Sequence, residues 1–104
     1  MENKDFKGNN FNIEQGKRLG TLKTLAENIC KNNKLFRLAD DDQPTRNKPH
    51  ATVGIVFPRL TFLDHEQTVK ELGKMFEIAD DFFMAPISDG IRLTWAIRNV
   101  WEEK

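Results

Sequence analysis

The stretch Phe82-Phe83-Met84-Ala85-Pro86-Ile87-Ser88-Asp89-Gly90-Ile91-Arg92-Leu93-Thr94-Trp95-Ala96-Ile97-Arg98-Asn99-Val100 holds two runs rich in β-branched and aromatic residues, Phe82 to Ile87 and Ile91 to Val100. Between them lies Ser88-Asp89-Gly90, where glycine can take the left-handed conformation that tight hairpin turns need. The stretch therefore predicts a hairpin. A three-residue loop pairs Ile87 with Ile91, Ala85 with Leu93 and Phe83 with Trp95, joining one apolar face across both strands. A two-residue Asp89-Gly90 loop would instead turn Phe82 and Met84 toward Ile97 and Trp95, because one residue of slip inverts a strand. The three-residue loop is the expected register. It leaves Arg92, Thr94 and Arg98 on the opposite, wetter face together with Phe82 and Met84.

Upstream of the hairpin, Val69, Leu72, Met75, Phe76 and Ala79 recur at helical spacing, with Lys70, Glu71, Lys74 and Glu77 expected to face water. Asp64 and Gln67 have the spacing of a capping box, and Asp80-Asp81 marks the stop. A second stripe, Leu19, Leu22, Leu25, Ala26, Ile29 and Cys30, predicts an earlier helix from about Gln15 to Asn32-Asn33. Two further runs read as strands: Lys34 to Ala39, too short for a helix, and Ala51-Thr52-Val53-Gly54-Ile55-Val56-Phe57, bounded by Pro49 and Pro58. The intervening Asp40 to His50 has two prolines and no apolar residue, so it reads as a loop.

The two helix-plus-hairpin stretches align without a gap at an offset of 47 residues. Thr21-Leu22-Lys23-Thr24-Leu25-Ala26 overlies Thr68-Val69-Lys70-Glu71-Leu72-Gly73, Ile29 overlies Phe76, and Leu35-Phe36 overlies Phe82-Phe83. The expected architecture is an α+β two-layer sandwich, a four-stranded antiparallel sheet with two helices on one face, and a candidate duplicated α-β-β unit. Residues 1–14, polar and carrying Gly8-Asn9-Asn10, are expected to form a flexible tail, and residues 15–104 a single domain. With 104 residues there is room for one modest core.

Composition narrows the function. The polar start Met1-Glu2-Asn3-Lys4-Asp5 lacks the apolar core of a signal peptide, and no apolar run reaches a membrane span, so a cytoplasmic setting without membrane association is expected. Cys30 is the only cysteine and reads as a small buried hydrophobe. With it stand only two histidines, His50 and His65, so zinc-site spacings are absent and no metal or cofactor is expected. Asp40-Asp41-Asp42 lacks the alternating ligands and glycine of a calcium loop. Phosphate-loop and nucleophile-turn motifs are missing too, so no catalytic residue is assigned.

Binding is the remaining class. The leading expectation is a non-enzymatic module that contacts a protein partner, or a second copy of itself, through an exposed sheet face or edge. Its candidate residues are Trp101, Phe82, Met84, Arg92 and Arg98. The alternative is a nucleic-acid binder. Sixteen basic and sixteen acidic residues cancel overall, but residues 1–50 hold ten Lys/Arg against seven Asp/Glu. That half supplies Lys17, Arg18, Lys23, Lys31 and Lys34 as candidate phosphate contacts. A third reading, a small-molecule sensor or enzyme, requires a pocket lined by both halves of the repeat.

Overall fold

The computed structural model of the protein describes residues 9–39, 50–58 and 66–103. They form β1 (Asn9–Phe11), α1 (Ile13–Asn32), β2 (Arg37–Leu38), β3 (Ala51–Pro58), α2 (Glu66–Ile78), β4 (Asp81–Ile87), β5 (Gly90–Ile97) and β6 (Trp101–Glu103). The expected cap at Asp64 and the loop 40–49 lie outside the described residues.

Helix α1 starts where Asn12 caps it, the side-chain oxygen accepting the N–H of Gln15 at 3.1 Å. It buries the predicted stripe of Leu19, Leu22, Leu25, Ala26 and Ile29. At its far end the Asn33 amide donates to the carbonyl of Ile29 and to Thr68 Oγ1 of α2, both at 2.8 Å. At its near end the Arg18 guanidinium donates to the carbonyl of Ile78, the last residue of α2. The two helices therefore lie antiparallel, clamped at both ends.

Strands β2, β3, β5 and β4, in that spatial order, make one antiparallel sheet. Its core side carries Ala51, Val53, Ile55 and Phe57 of β3 with Trp95 and Ile97 of β5, packed in one cluster with the α1 stripe and with Leu72 and Met75 of α2. Both helices thus cover a single face, the two-layer α+β arrangement expected from the hydrophobic pattern.

Four details depart from expectation. Residues 9–14 are not a tail: β1 pairs with β6, Phe11 opposite Trp101, and the Asn12 N–H donates to the Val100 carbonyl at 2.7 Å. The partner strand lies some ninety residues away, so local composition carries no trace of it. The second departure is the strand expected over Lys34–Ala39, which is confined to Arg37–Leu38. There Leu35 is exposed while Phe36 turns inward to pack on Phe57, ring centroids 4.7 Å apart.

The third is the hairpin register. Ile87 stands opposite Gly90, Met84 opposite Leu93 and Phe82 opposite Trp95, so the loop is Ser88-Asp89 alone. Directly paired residues share a face, which moves Phe82 and Met84 to the helix side and Phe83 and Ala85 to the open side. The chain makes this turn without a left-handed residue: the positive φ among the described residues is at Asn99, and no described glycine has one. Gly90 is needed for another reason, since a Cβ there would overlap the carbonyl oxygen of Phe57.

The fourth concerns the internal alignment. At an offset of 47, buried Leu22 would match exposed Val69 and exposed Thr21 would match buried Thr68. The buried positions of α2, Thr68, Leu72, Met75 and also Glu71, which was expected to face water, instead stand 46 residues after Leu22, Ala26, Ile29 and Leu25 respectively. The same spacing relates Phe36 to Phe82 and Leu38 to Met84, which lie on the core side of the sheet.

Candidate interaction surface

The order β2-β3-β5-β4 leaves β4 at an edge of the sheet, paired on one side with β5. Its sequence, Asp81-Phe82-Phe83-Met84-Ala85-Pro86-Ile87, is apolar on both faces. Phe82, Phe83 and Met84 are 56%, 58% and 67% exposed, three consecutive large apolar side chains on one strand. Edges of this kind are rarely left bare, because unpaired backbone groups beside apolar side chains invite another strand.

Pro86 sets the phase of that edge. It has no N–H to give β5, so its place in the ladder is one whose backbone groups point away from β5. Alternate residues share this phase. The outward backbone therefore offers the N–H and C=O of Phe82 and of Met84, and at Pro86 a carbonyl only.

The side chains divide by face. On the helix side Phe82 rests edge-on against Phe76, centroids 4.8 Å apart, and Phe76 in turn meets Trp95 at 5.5 Å. Val69 and Phe76, seven residues apart on α2, are both partly exposed and extend this apolar surface beyond the strand. On the open side Phe83 shares the sheet surface with Thr94, Ala85 with Arg92, and Arg92 with Val56, which pairs with Arg37.

The lower end of the strand is fastened. The Asp80 carboxylate accepts the Arg98 N–H at 2.7 Å and the Arg18 guanidinium at 3.0 Å. Burial alone would raise its pKa, but these donors and the charges of Arg18 and Arg98 outweigh it and hold the carboxyl below its ordinary value. Beside it, Asp81 takes a two-pronged bond from Arg98, 2.6 Å to Nε and 2.8 Å to Nη2. The pairing with Asp81, first, and the nearby Asp80 raise the Arg98 pKa further.

The candidate residues named from sequence thus have different surroundings. Phe82 and Met84 lie on the edge strand β4. Arg92 lies on the open face, whereas Arg98 follows β5 and is engaged by the two aspartates. Trp101 packs against the core and against Phe11, ring centroids 5.3 Å apart, closing the β1–β6 ribbon. Phe83 and Pro86, which sequence reasoning passed over, become prominent only once the register is known.

Among the proposed phosphate contacts, Arg18 is committed to Asp80 and Ile78, and Lys17, Lys31 and Lys34 are exposed. Lys23 and Lys31 flank Glu27 at intervals of four residues, so an acid interrupts the basic ridge. His50 serves the fold, its Nδ1 accepting the Asn99 N–H at 3.0 Å. Cys30 is half-buried, and desolvation raises its pKa and keeps the thiol protonated.

Among the described residues, a shallow groove is lined by Lys17, Gly20, Thr21, Thr24 and Leu25, all of α1. Among the described residues no three His, Cys, Asp or Glu side chains gather as a metal ion requires, and no helix is long and apolar enough to cross a membrane. Comparison with family models, with curated proteins and with solved structures gave no match.

Proposed function

We propose that this chain is a protein-interaction module that receives a partner strand on the free edge of β4. The observation that carries the reading is the exposure of Phe82, Phe83 and Met84 on an edge strand whose outward backbone is unpaired among the described residues. Strand addition supplies both things this edge lacks: main-chain partners for Phe82 and Met84, and cover for the apolar side chains. The clamp of Asp80 and Asp81 by Arg98 supports it by holding the edge in one conformation, which lowers the ordering cost of binding.

The duplicated α-β-β unit belongs to the same proposal. Its support is the common spacing of 46 between buried positions, and its consequence is that β3 and β5 already join two halves edge to edge, as β4 would join a partner. A cytoplasmic setting belongs to the proposal too, since a chain with one cysteine relies on no internal disulfide.

The test compares the full chain with Met84→Lys, which places a charge on the edge without touching the core. Sedimentation over a concentration range and capture of partners are measured for both. A complex formed by the wild type and lost in M84K supports the reading. A wild type that is monomeric throughout and binds nothing M84K-sensitive overturns it. Nucleic acid is the competing ligand: binding at about 50 mM salt that weakens steeply with added salt and is indifferent to M84K would transfer the function to the basic residues of α1.

A further inference from the structure

We propose that the strand received by β4 is β4 of a second copy, paired antiparallel about a twofold axis that passes through Phe83. The inference rests on β4 being the working edge and adds the identity and register of what binds there. It follows from the donors that Pro86 leaves on the edge. Strands sharing a twofold axis must each offer what the other accepts. In the register centred on Phe83, Phe82 faces Met84 of the second copy, and the N–H and C=O of both residues on both copies are used.

Centring the axis on Met84 instead would bring Pro86 against Phe82 of the other copy. The proline ring would then meet a carbonyl that needs an N–H, and Pro86 would stand inside a sheet with its nitrogen facing a neighbour, a position proline avoids. In the Phe83 register Pro86 falls opposite Asp80 of the second copy, just beyond the first residue of β4, Asp81. The ladder ends where the proline begins.

Side chains agree with this choice. On the open face Phe83 meets its own symmetry mate, and on the helix face Phe82 meets the Met84 thioether, a favourable sulfur–aromatic pairing. Ala85 would stand opposite Asp81 of the second copy, whose carboxylate is already engaged by Arg98 of its own copy, so the seam takes in no unpaired carboxylate. Both copies keep their helices on the same side, where Phe76 and Val69 continue the apolar contact.

The test is cross-linking in the full chain with Cys30→Ala, so that a single introduced thiol reports. Phe83 is more than half exposed, so Phe83→Cys is tolerated by the fold. Across the axis, two residues in a non-hydrogen-bonded antiparallel pair have Cα atoms about 4.5 Å apart, within disulfide range. Ala85→Cys is the control, its symmetry mate lying four residues along the ladder, about 13 Å away. Under mild oxidation F83C should give roughly ten-fold more covalent dimer than A85C.

If the wild type forms a dimer that M84K abolishes but F83C does not cross-link, or M84C cross-links instead, the register is overturned and the edge reading stands; a dimer indifferent to M84K overturns both. If the wild type is monomeric yet an M84K-sensitive partner of another kind is captured, the second copy is overturned and the edge reading again stands. A monomer with no M84K-sensitive partner overturns both.

Discussion

Gly90 runs so close to Phe57 that a Cβ at position 90 would overlap the Phe57 carbonyl oxygen. The contact lies at the end of the β3–β5 ladder, one residue from the β4–β5 turn, so the strand that carries the core and the hairpin that carries the edge are fixed against each other here. Backbone is on the receiving side, and no side-chain rotation can relieve the clash. Gly90→Ala should therefore destabilise the fold by about 3 kcal/mol, as overpacking does at its upper range. Urea denaturation of the variant is the measurement, and an unchanged midpoint would contradict the close approach.

Asp80 makes stability depend on acid in a defined direction. Its folded pKa is lowered, so between that value and its ordinary one the folded state binds fewer protons than the unfolded chain. Its contribution is fully present above the ordinary carboxylate range and is lost as the pH falls through the lowered value. Asp80→Asn should lower the urea midpoint at pH 7, and the gap to wild type should close as the pH drops below about 4. A gap that persists in acid would show that charge is not what Asp80 contributes.

Phe82 and Phe83 are adjacent and equally exposed, yet their substitution should have opposite consequences. Phe82 leans on Phe76, so Phe82→Ala should cost about 1.5 kcal/mol of stability. Phe83 stands on the open face, so Phe83→Ala should leave the denaturation midpoint within about 0.5 kcal/mol of wild type while weakening association. Equilibrium unfolding at concentrations below the association range, paired with sedimentation, separates the two.

Asn12 ties the beginning of the chain into the domain, capping α1 through Gln15 and donating its own N–H to Val100. Asn12→Ala keeps the backbone bond and removes the cap, for an expected loss of about 1 kcal/mol. Circular dichroism followed through a thermal transition would report it. No loss would return the start of α1 to the uncapped state expected of a tail.

The amino-acid sequence by itself determined the elements whose signals are local. The stripe from Leu19 to Ile29, the β-branched run of β3 and the presence of a hairpin between Ile87 and Ile91 are each encoded within about twenty residues, because helical and strand periodicity act at that range. The number of strands in the main sheet and the placement of both helices on one face followed from those stripes, since each apolar side must be buried against another. Phe82 and Met84 were named on the expectation of a register that puts them on the open face with Arg92, whereas the observed register turns them to the helix side.

Tertiary structure alone decided the rest. Local alternation is satisfied by several hairpin registers, and the observed Ser88-Asp89 loop is neither of the two expected; the face that β4 turns inward follows from Trp95, whose fully buried ring lies on the side of β5 that α2 covers, with Phe82 beside it and Phe83 turned away. The pairing of β1 with β6 and the engagement of Arg98 by two aspartates bring together residues 17 to 94 positions apart, which no local pattern encodes. The role of Gly90 likewise resides in Phe57, not in the turn. The hydrophobic pattern specifies which side of each element is buried; which elements meet, and which edge stays open, is a property of the packed chain.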